Sequence, residues 1–285
     1  MRALVMSGGG SKGAYEVGAL KKLMFEDGRD YEALCGVSVG AINSAYLAQF
    51  PPGVPKTAWG RLNEIWGRVN SSNVKKSWFP FGALESLWKP SVYNSEPLQK
   101  WILSELNGEA VAQSGRQLRI VAVSWDSGEA RVVDETTPDI AKWVIASASF
   151  PVMLSPIEID GQLWTDGGLR HVTPLGEAIR LGADEIDVIM CSNPYAPSPF
   201  STAGAAALPG FAMRAVDIMS DEIMRADLKI CGLKNDLAEL NGPYKRIKIR
   251  MLQPSEPLGD SLDFSQEHVR HMFDIGYKDA CNMAP

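Results

Sequence analysis

The chain has 285 residues, a formal net charge of −6, 45% hydrophobic and 22% charged residues, and four cysteines. That apolar content excludes a disordered chain, and the acidic balance gives no overall field for nucleic acid. The length fits one α/β domain over residues 1–285 with a sizeable core. Cys35, Cys191, Cys231 and Cys281 form no CxxC pair, so neither a zinc site nor a disulfide framework is expected and a reducing, cytoplasmic setting fits. The first apolar run, Ala3 to Met6, is too short for a signal-peptide core, and no later run approaches the length of a membrane span.

Residues Arg2 to Met6 read as a buried strand, followed by the glycine run Gly8 to Gly13 as a tight turn and by a helix over Ala14 to Phe25. A second buried strand, Ala33 to Val37, turns at Ser38 into a helix over Ala41 to Gln49 that ends before Pro51. From Pro51 to Trp101 the pattern loosens into a helical, irregular segment holding Trp59, Trp66, Trp78, Trp88 and Trp101, a candidate cap for the site. Strands are predicted at Leu118 to Val123 and Ala130 to Val133, a helix from Pro138 to Ser147, and a hairpin of Ile157 to Ile159 with Leu163 to Thr165 about Asp160-Gly161.

After Pro174 the pattern gives a helix to Leu181 and a strand at Ile186 to Met190. Asn193 to Gly210, rich in Pro, Ala, Gly and Ser, reads as a mobile loop, and a helix follows over Phe211 to Cys231. The basic run Lys245 to Arg250 alternates with apolar residues at period two, which favours a half-exposed strand over Tyr244 to Ile249 rather than an anion patch. A helix over Gln266 to Ala280 closes the chain. The alternation of strands and helices predicts a three-layer α/β/α sandwich around a mostly parallel central sheet.

Two motifs carry chemistry. GVSVG, Gly36 to Gly40, has the spacing of a nucleophile elbow around Ser38, between a strand and a helix as that turn requires. GGGSKG, Gly8 to Gly13, is placed to supply backbone N–H donors to an oxyanion. The same glycines satisfy GxGxxG, but the acidic residue expected at the end of the second strand of a dinucleotide fold is missing, and no GK[ST] closes a P-loop. A serine nucleophile needs a base. The order Ser38, Asp166, His268 would suit an α/β-hydrolase triad, but in that fold the two motifs come after later strands than they do here. His268 and His271 read as surface residues, and Asp166 in TDGG is either the base or part of a turn.

Three ordered blocks resemble the patatin-like phospholipases: GGGSKGAYEVGAL, GVSVGAIN, and ASASFPVMLSPIEIDGQLWTDGGLRHVTPL. The resemblance implies a patatin-like α/β/α fold and a Ser-Asp dyad, with Ser38 as nucleophile and Asp166 as base. It also implies backbone N–H groups among Gly8, Gly9, Gly10 and Ser11 at the oxyanion, a lipid or phospholipid ester as substrate, and no metal or cofactor. His171-Val172-Thr173 stands where the family often has asparagines, which leaves His171 near enough in sequence to modulate the dyad. Peripheral membrane contact through the Trp-rich segment, WFPF at Trp78 to Phe81 above all, or through the Ala-rich loop 200–210 is a further expectation, and protein partners are not indicated. A soluble esterase, thioesterase or acyltransferase on the same dyad, or a non-catalytic lipid binder, are the alternatives.

Overall fold

Alternating side chains of the first strand, β1 (Arg2–Met6), divide the hydrophobic core: Leu4 and Met6 pack on one face of a sheet, Ala3 and Val5 on the other. The computed structural model describes residues 1–78, 88–195, 208–240 and 246–283. These build an eight-stranded sheet from β1, β2 (Ala33–Gly36), β3 (Gln117–Ser124), β4 (Ala130–Asp134), β5 (Ile157–Ile159), β6 (Gln162–Asp166), β7 (Glu185–Ile189) and β8 (Lys248–Leu252). The strands β3, β2, β1, β7 and β8 are mutually parallel, while β4 and β6 run against β3 and β5 against β6. Burial on both faces explains why the central strands read as continuous apolar runs.

Helices α1 (Gly13–Leu20), α2 (Val39–Leu47), α3 (Pro55–Trp66), α5 (Glu96–Glu105), α7 (Ile140–Ser147) and α10 (Gln266–Cys281) share the larger core. Two short helices, α4 (Ser71–Val74) and α6 (Gly108–Gln113), lie between them in the chain. The opposite face is covered by α8 (Leu175–Arg180) and α9 (Leu208–Glu239). The three layers follow. Among the described residues no helix is long and apolar enough to cross a membrane.

The structure moves several boundaries, by one residue at most strand ends and further at other elements. The first helix begins at Gly13 and passes at Lys21–Glu26 into a π-helical stretch. The helix expected to end at Cys231 runs on to Glu239, since Gly232 weakens a helix without ending it. The last described strand is β8, which runs past the expected end at Ile249 because parallel pairing to β7 carries from Glu185↔Lys248 through Leu252, while Tyr244, the expected start, lies outside the described residues. Residues 79–81 of WFPF and 200–207 of the Ala-rich loop lie outside the described residues.

α10 seats on α1 through two glycines. A Cβ at Gly18 would lie 2.0 Å from the Phe273 carbonyl oxygen, and one at Gly276 would lie 2.0 Å from that of Tyr15. Backbone approach this close is open only to glycine. The C-terminal helix is thereby locked behind the turn that follows β1.

Candidate active site

The strand register brings Ser38 and Asp166 together. β4 occupies one edge of β3, while β2 and β6 lie end to end along the other: β2 pairs from Ala33↔Gln117 to Gly36↔Ile120, and β6 pairs Asp166 with Ala122. Since β2 runs with β3 and β6 against it, their carboxyl ends meet beside Val121. Ser38 follows one end and Asp166 stands at the other. The chain after Asp166 must then turn hard against β3, and a Cβ at Gly167 would fall 2.2 Å from the Val121 carbonyl oxygen.

Ser38 has φ 57° and ψ −125°, a conformation that a residue with a Cβ adopts only under strain, on the order of 1–3 kcal/mol. The flanking glycines allow it: a Cβ at Gly36 would lie 2.2 Å from the Gly40 carbonyl oxygen, and one at Gly40 would lie 2.3 Å from that of Met6. The Ser38 N–H donates to Ser147 Oγ at 3.0 Å, and its carbonyl accepts the N–H groups of Ala41 and Ile42 at 3.0 and 3.2 Å. Two residues beyond Ser147, the Ser149 carbonyl accepts the Asp166 N–H at 3.1 Å and the Thr165 hydroxyl at 2.7 Å. One short stretch at the end of α7 thus holds both candidate residues.

Asp166 is 1% exposed and Ser38 8%. Asp166 Oδ1 accepts the Gly168 N–H at 2.7 Å, whereas Oδ2 is buried without a partner of full hydrogen-bond geometry. Burial pushes this carboxyl up to about 7, opposed by the Ser38 hydroxyl facing it and by the Gly168 N–H. The group is therefore poised to exchange a proton near neutrality.

The glycine turn lies against the elbow, with a Cβ at Gly8 only 3.2 Å from Ser38 Cβ. Of the four residues expected at the oxyanion, two have committed N–H groups: Gly8 donates to the Val172 carbonyl at 3.2 Å and Ser11 to that of Ser261 at 2.8 Å. Neither is open to an incoming ligand, because a backbone N–H carries one hydrogen. Among the described residues no acceptor takes the N–H of Gly9 or Gly10. The Ser11 hydroxyl also donates to the Asp260 carbonyl at 2.9 Å. Ser147 and the Asp260-Ser261 pair are thus supporting residues that motif spacing does not reveal.

Ser38, Asp166, Gly9 and Gly10 line one cavity of about 480 Å³, within the range of small-molecule sites. Ile42 of α2, Trp66 of α3, Val74 of α4, Leu98 and Trp101 of α5, and Phe150, Met153 and Leu154 give it apolar wall. The expected Trp-rich cap is therefore present in part. Lys12, Ser192, Asp260, and Arg214, Asp217 and Asp221 of α9 give it a polar rim. Burial raises the Asp217 and Asp221 carboxyls, with Lys12 and Arg214 opposing the rise. None of the three histidines lines the cavity: the His268 ring contacts the Asp260 carbonyl at 3.2 Å, and His171 is half-buried, its pKa lowered by burial and by Arg180 and Arg170. Among the described residues no group of three His, Cys, Asp or Glu side chains is arranged to hold a metal ion.

The model of the family described as patatin-like phospholipase matches residues 4–179, more than half of the chain and all of the elements that carry these residues up to α8. The chain belongs to the patatin-like phospholipase family. Membership supports lipid acyl hydrolysis in general, and it disposes of the dinucleotide reading of Gly8, Gly10 and Gly13. Among curated relatives, this patatin-like chain is 27% identical over 200 residues to the uncharacterized protein R571 of Acanthamoeba polyphaga mimivirus, covering 66% of this chain and 63% of that one. It is 24% identical over 190 residues to lysophospholipase NTE1 of Candida glabrata, covering 64% of this chain. The chain spans less than two thirds of the length of the first relative and 10% of the second. A solved structure, VipD from Legionella pneumophila, aligns over 99% of this chain and 66% of its own at 15% identity and a TM-score of 0.45.

Proposed function

We propose that this protein is a serine-dependent lipid acyl hydrolase of the phospholipase A or lysophospholipase type. The observation that carries the reading is the pairing of a strained Ser38 with a buried, partly unpartnered Asp166 in one apolar-walled cavity. Ser38 Oγ attacks the ester carbonyl carbon as Asp166 takes the hydroxyl proton, and the N–H groups of Gly9 and Gly10 receive the negative charge on the carbonyl oxygen. Collapse expels the alcohol portion of the lipid, which leaves with the proton from Asp166. Water then attacks the acyl-enzyme carbonyl, giving a proton to Asp166, and collapse releases the fatty acid as Asp166 returns that proton to Ser38 Oγ. A carboxyl raised to about 7 is a far better base than an ordinary aspartate while still ionising near neutral pH.

The apolar wall suits an acyl chain, and the charged rim of Lys12, Arg214, Asp217 and Asp221 suits a polar headgroup better than a simple soluble ester. One relative, lysophospholipase NTE1, bears a name that agrees with that class. Peripheral contact with lipid surfaces belongs to the same reading: Phe211, Ile218 and Met219 are exposed on α9, the helix that lines the cavity with Arg214, Asp217 and Asp221.

The test is product analysis on phosphatidylcholine and lysophosphatidylcholine vesicles, with water-soluble nitrophenyl and thioesters alongside. Fatty acid release by the parent, reduced at least ~10³-fold in Ser38→Ala, is the expected result. Equal release by both proteins would show that Ser38 is not the nucleophile, and turnover of soluble esters alone would move the assignment to a soluble esterase.

A further inference from the structure

Beneath the glycine turn lies a carboxyl that the proposed chemistry does not use. Glu16, in α1, is fully buried, and among the described residues no cation pairs with it. Its Oε2 accepts Asn43 Nδ2–H at 2.7 Å and its Oε1 accepts the Cys191 thiol at 3.5 Å. Asn43 stands on α2, the helix that begins immediately after Ser38, and its own Oδ1 accepts Trp66 Nε1–H at 2.8 Å. Cys191 lies under the glycine turn: a Cβ at Gly9 would be 2.5 Å from Cys191 Cβ, and the Cys191 N–H donates to Ser7 Oγ at 2.8 Å. One carboxyl therefore spans two elements, the floor of the Gly9 backbone and the helix that fixes the elbow.

We infer that Glu16 is a positioning residue for acyl transfer, setting the Gly9 and Gly10 N–H groups through Cys191 and the Ser38 elbow through Asn43. The inference rests on the proposed roles of Ser38, Gly9 and Gly10. Its physical ground is the cost of the arrangement. A buried carboxyl must be supplied with donors or held neutral, and an apolar side chain would fill the same volume without that demand. Burial does push Glu16 up to about 8, opposed by Asn43 and Cys191. What an apolar side chain cannot supply is two polar oxygens in fixed directions, one toward each of the two elements. Donors aimed at an oxyanion lose effect when displaced by a fraction of an ångström, so the loop beneath them has to be held.

The experiment compares Glu16→Ala and Glu16→Gln with the parent on nitrophenyl butyrate, with fluorophosphonate labelling of Ser38 and a melting curve for each protein. Glu16→Ala is expected to lower kcat by more than ~10-fold with KM within about twofold, and to slow labelling to match. Glu16→Gln, which retains an acceptor for Asn43 at nearly the same volume, is expected to recover kcat to within about threefold of the parent. A purely structural Glu16 would lower the melting temperature and leave the kcat of the folded fraction unchanged, and that result would overturn the inference.

Should Glu16→Ala not fold, the Cys191 pair decides: Cys191→Ala is expected to lower kcat several-fold while Cys191→Ser, which keeps a donor to Glu16, does not. Equal kcat in the two Cys191 variants and the parent would overturn it as well. A parent that neither turns over ester nor labels at Ser38 defeats the acyl-transfer reading itself and this inference with it. Labelling at the same rate in parent and Glu16→Ala defeats the role of Glu16 alone.

Discussion

The fully buried Ser147 hydroxyl accepts the backbone N–H of Ser38 at 3.0 Å. This bond holds the residue with the least favourable backbone angles on the cavity wall. Removing the acceptor leaves a buried N–H unpaired, which costs about 1–3 kcal/mol. Ser147→Ala is therefore expected to lower the unfolding free energy by that amount in urea titration. It is also expected to slow fluorophosphonate labelling of Ser38 in the protein that remains folded, because the strained turn loses a restraint. Unchanged stability would mean that the N–H finds another partner.

The raised Asp166 carboxyl is expected to make stability fall with pH while the proposed hydrolysis rises. Its carboxyl is pushed from the ordinary 3.8 up to about 7 by burial. Between those values the folded protein keeps a proton that the unfolded chain has released, so its contribution is intact below about 3.8 and stability falls as pH rises to about 7. Glu16, pushed from 4.5 up to about 8, adds a fall of the same sign that ends a unit higher. Asp166→Asn removes only the first share. Its unfolding free energy relative to the parent is expected to grow between about pH 4 and pH 7 and then level off, measured by denaturant titration. Hydrolysis by the parent should rise over the upper part of the same window, because the base must be ionised, while Asp166→Asn has no base to ionise. A variant whose stability tracks the parent at every pH would refute the raised carboxyl.

The elbow and the glycine turn were legible because each is local: spacing around Ser38 and around Gly8 to Gly13 demands a sharp strand-loop-helix whatever surrounds it. Asp166 was different. Its partnership with Ser38 depends on β2 and β6 sharing one edge of β3 head to head, a register set by pairings far apart in sequence. Spacing left Asp166 open between base and turn, and only the resemblance of its block favoured the base. The same holds for the oxyanion donors. Gly8 and Ser11 look equivalent to Gly9 and Gly10 in the sequence, and only the carbonyls of Val172 and Ser261, from two other parts of the chain, separate them. Ser147 and Ser149 stood in the quoted ASASFP run, but a serine accepting a distant backbone N–H has no periodic signature.

Leu98 of α5, buried on the cavity wall, offers a way to read where the acyl chain lies. Leu98→Phe fills part of the space that the last methylenes of a long chain would occupy. It leaves Ser38 and Asp166 untouched. Each methylene kept out of an apolar wall loses about 0.8 kcal/mol of transfer free energy, close to fourfold in kcat/KM, so excluding three costs roughly 60-fold. Nitrophenyl palmitate turnover is expected to fall by about that factor while butyrate turnover stays within about threefold of the parent. Unequal loss of this kind identifies Leu98 as a chain-length determinant, whereas an equal loss on both esters would place the acyl chain elsewhere in the cavity and assign the effect to general disturbance of α5.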